Sequence, residues 1–223
     1  MLENSFKFVF INNWRSIDKK ILFYFFLLFF LGLFFSFSST SSLAGERLNK
    51  EFYFFFTKHL IFTSLAIIIM IVISIFKTEL LIKFVVPLFI VSFALLAIVP
   101  IIGLEVKGAK RWIDLYFFRL QPIEILKPFF ILMTAKLLTF KKFQNSQIKY
   151  ILSFMLLGSV VILLVEQPDL GQSILLIGSW IGTVFISGVS LIYLFVIFLI
   201  FSILLGSLLF FLPEKFGYII NRL

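Results

Sequence analysis

Two charged residues, Glu124 and Lys127, stand within a long apolar stretch, where burying a charge is costly. They are three residues apart, so on a helix they share one face and can form an ion pair. Gln121 and Thr134 extend this polar face, and Pro128 removes one backbone hydrogen bond from the helix. The pattern is compatible with a site for an ionic ligand and equally with a structural ion pair between helices.

A basic segment precedes that stretch, with Lys110, Arg111 and Arg119 around Trp112. Arginine offers a bidentate fork and lysine a point charge, so the combination suits a phosphate or diphosphate group. The alternative is an interfacial segment in which the tryptophan marks the membrane surface and the basic side chains contact lipid headgroups. Composition alone favours this alternative.

A third group of polar residues lies in the segment EQPDLGQ. Asp169 is predicted to cap the helix that follows, with Gln172 reaching back from the third position as in a capping box. Glu166 and Asp169 could also serve as a general acid and base, but their spacing is weak support for that chemistry.

The composition excludes several functional classes. Hydrophobic residues make up 61% of the chain and charged residues only 14%, whereas soluble domains have roughly 45–50% and about 25%. Cysteine is absent and His59 is the only histidine, so neither a disulfide framework nor a Cys- or His-rich metal site is predicted, and no cofactor is evident. The net charge of +9 does not indicate nucleic-acid binding, because the basic residues lie in short segments between apolar runs.

The elements that must position these residues are predicted to be membrane-spanning helices. One crossing takes roughly 20 apolar residues, and the apolar runs are continuous rather than alternating, which favours helices over a barrel. Gly178 and Gly182 give the sixth helix a small-residue stripe that predicts close packing. The fold class is therefore all-α, a polytopic transmembrane bundle with seven helices at about 21–38, 59–76, 81–103, 122–138, 151–166, 170–187 and 190–212.

These helices divide the chain into an N-terminal segment (1–20), a transmembrane domain (21–212) and a final segment (213–223). The residues Ser39–Lys58 are predicted to be a polar loop with room for a short interfacial helix at EFYFFF. Lysine and arginine are almost equally divided between the two sides, so the positive-inside rule does not fix the orientation. A site for an anionic headgroup on the outer side would explain the basic charge of residues 107–119.

Three separated motifs carry a resemblance to a known family: GLEVKGAKRWIDL, RLQPIEILKP and VEQPDLGQSILLIGSWIGTVFISGVS. They resemble the SEDS proteins (shape, elongation, division and sporulation), which include FtsW, RodA and SpoVE. The family patterns G-[AS]-x-R-W, Q-P-[SA]-E-[FIL]-x-K and Q-P-D-[LF]-G are similar to Gly108–Trp112, Gln121–Lys127 and Gln167–Gly171. Ile123 departs from the usual Ser or Ala. Within the family, the chain looks most like FtsW of alphaproteobacterial type.

The resemblance implies a peptidoglycan glycosyltransferase that polymerises lipid II in bacterial cell division. It implies a fold of ten membrane-spanning helices with the N-terminus in the cytoplasm. It also implies that the protein lies in the bacterial inner membrane, at the division septum. The substrate-binding residues that it implies are Lys110, Arg111, Gln121, Glu124 and Lys127. The residues that it implies for the structural motifs are Trp112, Pro122, Gln167, Pro168, Asp169 and Gly171.

The family's catalytic aspartate lies in a large extracytoplasmic loop after the seventh helix. Residues 213–223 are similar to the start of that loop, so we expect the chain to be an N-terminal fragment that is inactive by itself. On this expectation the chain holds no catalytic residue, and Asp169 does not replace the missing one.

The resemblance also implies partners: lipid II, a single-pass transpeptidase (a class B penicillin-binding protein), other division proteins and the membrane, but no nucleic acid. Three alternatives to a division polymerase stay open. They are a RodA-type elongation polymerase, a lipid II flippase or transporter, and a non-catalytic division scaffold. The intramembrane Glu124 and Lys127 would fit a translocation path, but no inverted repeat of broken helices is visible.

Overall fold

The computed structural model describes residues 17–40, 53–106, 108–116, 118–140 and 146–190, with positions 192, 195, 196, 199 and 203. Six helices lie in these ranges. They are α1 (Lys19–Thr40), α2 (Phe54–Ile75), α3 (Thr78–Ile102), α4 (Pro122–Leu138), α5 (Ser146–Glu166) and α6 (Leu170–Ile186). They correspond to the first six predicted helices. The described positions beyond residue 190 are also helical, while the rest of the seventh predicted helix and the segments 1–16 and 213–223 lie outside the described residues.

Four of these helices are long and apolar enough to cross a membrane. The spans are Lys19–Ser38, Phe54–Ile75, Thr78–Ile102 and Gln147–Glu166, and α6 is a shorter apolar helix. Two helices begin five residues before the prediction: α2 begins at Phe54, so the aromatic run after Tyr53 belongs to this helix and not to a loop, and α5 begins at Ser146. The other boundaries agree to within three residues.

The chain divides into two compact units, Met1–Leu81 and Ile82–Leu223. In the first unit, α1 and α2 pack through aromatic contacts, with the Phe37 and Phe56 rings 5.4 Å apart. Most side chains on both helices are exposed apolar groups. Lipid would cover such a surface in a membrane, so their exposure agrees with a spanning helix pair.

The second unit has a core built from α3, α4, α5 and α6. On α4 the buried residues recur at every fourth position, which places them on one face of the helix. The largest buried side chain, Trp180 on α6, donates a hydrogen bond from Nε1 to the Ser153 Oγ of α5 at 3.4 Å. The α4 stripe consists of Pro122, Leu126, Phe130, Thr134 and Leu138.

A small antiparallel sheet connects α3 to α4 and was not predicted from the sequence. Its strands are β1 (Leu104–Val106), β2 (Ala109–Asp114) and β3 (Arg119–Leu120), in the order β1-β2-β3. Leu104 pairs with Trp112, but Glu105 pairs with Lys110, so the register passes over Arg111. A residue left over in this way forms a bulge, which can re-aim its side chain. The all-α class is thus confirmed for the membrane helices, with this sheet as an addition.

Candidate functional site

Two helices of the second unit, α4 and α6, join through polar side chains in and just before their first turns. Gln121, Glu124 and Lys127 recur at every third position on α4, and Asp169 and Gln172 do the same on α6. A spacing of three keeps each set on one helical face. These five side chains, together with Arg111 of β2, form two polar clusters.

The first cluster consists of Glu124, Lys127 and Gln172. The Lys127 ammonium lies 2.7 Å from Glu124 Oε2, so the predicted ion pair is present. The ammonium also donates to Gln172 Oε1 at 2.9 Å, and Gln172 Nε2 donates to Glu124 Oε1 at 2.8 Å. The Glu124 side chain is 51% exposed and that of Lys127 24%, so a ligand can reach the cluster.

The second cluster consists of Arg111, Gln121 and Asp169. Gln121 Nε2 donates to Asp169 Oδ2 at 3.2 Å, and Arg111 Nε lies 3.8 Å from the same oxygen. The guanidinium also donates to two backbone carbonyls, from Nε to Gln167 O at 3.1 Å and from Nη2 to Pro168 O. The bulge in β2 therefore directs Arg111 onto the turn between α5 and α6.

Gln167, a residue of that turn, is 2% exposed and anchors the turn to α3. Its Nε2 donates to the carbonyl of Leu96 on α3 at 3.0 Å, which compensates for burying the amide. Pro122 is buried at the start of α4, where a missing N–H costs nothing. The two Gln-Pro segments thus begin the two helices that carry the clusters.

The structure does not bring every predicted site residue into these clusters. Lys110 lies in a separate cleft of about 240 Å³, with its ammonium 3.4 Å from the Pro100 carbonyl and Glu105 and Glu166 in the lining. Trp112 is half-buried in β2. Gly171 is exposed on α6, and a Cβ added there would meet nothing within 4 Å among the described residues.

The predicted capping box at the start of α6 is wrong. Asp169 stands at the N-cap but makes no side-chain cap hydrogen bond, because its carboxylate faces Arg111 and Gln121. Gln172 reaches across to α4 instead of back to the cap. Sequence reasoning therefore missed Gln172 as a site residue. The signal that could have found it is the matching spacing of Asp169 and Gln172 with Gln121 and Glu124.

The two clusters can hold an anion. A lysine side chain has three N–H donors and an arginine side chain has five. Lys127 uses two of its donors in the contacts with Glu124 and Gln172, and Arg111 uses two in the contacts with the turn. One donor of Lys127 and three of Arg111 are therefore available, as far as the described residues show. Within those residues no three His, Asp or Glu side chains gather as a metal site requires. Free N–H donors on a lysine and an arginine are suited to electrostatic attraction and hydrogen bonding with a phosphate group.

Comparison with known proteins places the chain in a family. Residues 19–221 match the family model of FtsW, RodA and SpoVE, which is described as cell cycle protein. The chain belongs to this family. Its apolar helices and this membership make it a multi-pass membrane protein.

Curated relatives of the chain are named probable peptidoglycan glycosyltransferase FtsW. The protein of Pasteurella multocida is 32% identical over 178 residues, which are 77% of this chain and 44% of that protein. The protein of Wigglesworthia glossinidia brevipalpis is 32% identical over 188 residues, 81% of this chain and 49% of that protein. These names agree with the predicted resemblance to FtsW, and the chain spans less than half the length of either relative.

Solved structures give the same fold. A chain from the structure titled "Structural coordination of polymerization and crosslinking by a peptidoglycan synthase complex" has a TM-score of 0.73 and 25% identity. The alignment covers 91% of this chain and 58% of that one. The rod shape determining protein RodA of Thermus thermophilus has a TM-score of 0.59 and 26% identity, over 78% of this chain and 58% of that one.

Proposed function

We propose that the chain is the lipid-diphosphate-binding part of a peptidoglycan glycosyltransferase that polymerises lipid II during cell division. The main support is the Lys127 ammonium, which is fixed between α4 and α6 with one N–H donor available beside a half-exposed Glu124. The FtsW names of the curated relatives support the division role.

In such a reaction the acceptor hydroxyl attacks the anomeric carbon of a lipid-linked sugar, and the lipid diphosphate leaves. Negative charge grows on the diphosphate as the bond breaks, so cations placed there lower the barrier. On this proposal Lys127 and Arg111 contact the diphosphate, with Lys110, Gln121 and Glu124 completing the substrate-binding surface. Trp112, Pro122, Gln167, Pro168 and Gly171 shape the strands and turns around it.

Asp169 is a poor choice for the base that would activate the acceptor hydroxyl. Its side chain is 10% exposed, and both Arg111 and Gln121 face the same carboxylate oxygen. These contacts hold the carboxylate against the turn between α5 and α6 and leave it little access to an acceptor hydroxyl. We assign Asp169 a structural role and assign the base to none of the described residues.

The proposed function also implies an orientation in the membrane and a set of partner proteins. The N-terminus would lie in the cytoplasm, with the sheet on the outer face of the bacterial inner membrane at the septum. A single-pass transpeptidase of the penicillin-binding class and other division proteins would be its partners. The structural similarity to a chain of a peptidoglycan synthase complex supports the transpeptidase.

Lipid II binding to the 223-residue chain in lipid nanodiscs tests the proposal. We expect Lys127→Ala to weaken binding by about tenfold or more, because a charge-assisted hydrogen bond to a buried anion contributes about 1.5–3 kcal/mol. Lys136→Ala is the matched control, since Lys136 is in the last turn of the same helix and donates to the Ile82 carbonyl at 3.3 Å. Native mass spectrometry of the nanodiscs gives both affinities.

Equal weakening by both substitutions, or none by Lys127→Ala, would contradict the diphosphate site. Transferase activity is tested separately in membranes that express the protein from its own gene. Release of undecaprenyl diphosphate from added lipid II is the expected result. Binding without any release would leave the site standing and exclude the transferase.

A further inference from the structure

Gln172 is the member of the first cluster to which the proposed function gives no role. Its amide is engaged at both ends: Nε2 donates to Glu124 Oε1 at 2.8 Å and Oε1 accepts from Lys127 Nζ at 2.9 Å. Lys127 is in turn 2.7 Å from the other oxygen of Glu124. Three side chains from two helices therefore close a ring of three polar contacts.

A primary amide suits this place in the ring. It has a donor and an acceptor side by side, whereas a carboxylate only accepts and an ammonium only donates. The partners also fix which way the amide faces, because a reversed amide would put its NH₂ against Lys127 and its oxygen against Glu124. An apolar side chain at position 172 would leave Lys127 held by Glu124 alone.

The second cluster repeats this composition with the helices exchanged. There the carboxylate, Asp169, begins α6, and the amide, Gln121, begins α4, while the first cluster has Glu124 on α4 and Gln172 on α6. Each cluster pairs one cation with one carboxylate and one amide. In each cluster an amide from one helix therefore donates to the carboxylate of the other.

We propose that Gln172 is a positioning residue that holds the Lys127 ammonium where the anionic group of the lipid substrate binds. The role rests on the proposed function, in which Lys127 contacts the diphosphate. Gln172 ties the Lys127–Glu124 ion pair to α6, because it accepts from the ammonium and donates to the carboxylate. It does so without adding charge, so the cation keeps its attraction for an anion.

Undecaprenyl diphosphate binding to the 223-residue chain in nanodiscs tests this role. We expect Gln172→Leu to weaken binding by about tenfold, the equivalent of one charge-assisted hydrogen bond. Gln172→Glu should weaken it further, because the introduced carboxylate lies opposite Glu124 and adds a negative charge near the ligand. In the Lys127→Ala background, Gln172→Leu should change binding by less than about twofold, since Gln172 acts only through Lys127.

Thermal unfolding of each variant separates positioning from folding. A positioning role predicts that affinity falls while the unfolding midpoint of Gln172→Leu stays close to that of the wild type. Wild-type affinity in Gln172→Leu, or a further loss of about tenfold when Gln172→Leu is added to Lys127→Ala, would overturn it. If the wild type does not bind undecaprenyl diphosphate, both the proposed function and this role fail. If the wild type binds and Gln172→Leu binds equally well, only this role fails.

Discussion

Arg111 shows how one side chain connects the sheet to the helices. The bulge leaves it unpaired in β2, and its guanidinium meets the carbonyls of Gln167 and Pro168 and the carboxylate of Asp169. Its side chain is 21% exposed, so these contacts are only partly screened by solvent. A planar fork can bind two carbonyls at once, and an ammonium cannot reproduce that geometry.

Arg111→Lys should therefore lower the free energy of unfolding by about 1.5–3 kcal/mol, the magnitude of one lost charge-assisted hydrogen bond. Thermal unfolding of the purified chain in detergent measures the change. The control is Arg119→Lys, because Arg119 is an exposed residue of β3, where changes are usually within about 0.5 kcal/mol. A loss of stability that is no larger for Arg111→Lys than for Arg119→Lys would rule out the connection.

The ion pair within α4 could be predicted from the sequence, whereas the capping box predicted for α6 gave way to contacts between elements that the sequence did not indicate. The Glu124–Lys127 ion pair follows from a spacing of three on a helix, and the structure contains it. Arg111 meets the carbonyl of a residue 56 positions away, and Gln172 bonds across 48 positions to α4. Such pairs depend on which helices pack together, and the spacing of residues along one helix does not show this. The substrate-binding roles of these residues stay proposals.

Among the elements, long apolar helices were predictable and the sheet was not. A continuous apolar run of about 20 residues has few alternatives to a spanning helix. The strands have three, six and two residues, which is too short for a period of two to stand out among charged side chains. Gly108, at φ 76°, occupies the left-handed region before β2, and Tyr116, at φ 67°, does so between β2 and β3.

The junction between α3 and β1 leads to a prediction about the stability of the fold. Gly103 ends the helix with its N–H bonded to the Val99 carbonyl at 2.7 Å, and a Cβ there would clash with that carbonyl oxygen and lie 3.1 Å from Val99 Cγ1. Gly103→Ala should therefore destabilise the chain by about 1–3 kcal/mol, as overpacking does. Thermal unfolding in detergent is again the measurement.

Gly178→Ala is the control, and it also tests the small-residue stripe of α6. The stripe was predicted to pack closely, but a Cβ at Gly178 or Gly182 would meet nothing within 4 Å among the described residues. The described residues therefore show no close neighbour at these two glycines, and the close packing stays a prediction. We expect Gly178→Ala to be neutral or slightly stabilising, since alanine favours a helix more than glycine. A loss comparable to that of Gly103→Ala would refute this.

At the scale of the molecule, the site depends on which side of the membrane the sheet faces. α4 has 17 residues, so it is about 25 Å long, and on the predicted topology its two ends face opposite sides of a bilayer core about 30 Å thick. The proposed diphosphate site is at its N-terminal end, beside the sheet. The proposed function therefore requires that end to face outward.

The absence of cysteine allows a direct test of that orientation. Tyr116 is 92% exposed beside β3, and Phe140 is 43% exposed just beyond α4. In spheroplasts, we expect a membrane-impermeant maleimide to label Tyr116→Cys at once and to label Phe140→Cys only after the membrane is permeabilised. The cysteine-free chain is the blank. The opposite labelling pattern would place both clusters at the cytoplasmic surface, where an extracytoplasmic lipid diphosphate could not reach Lys127.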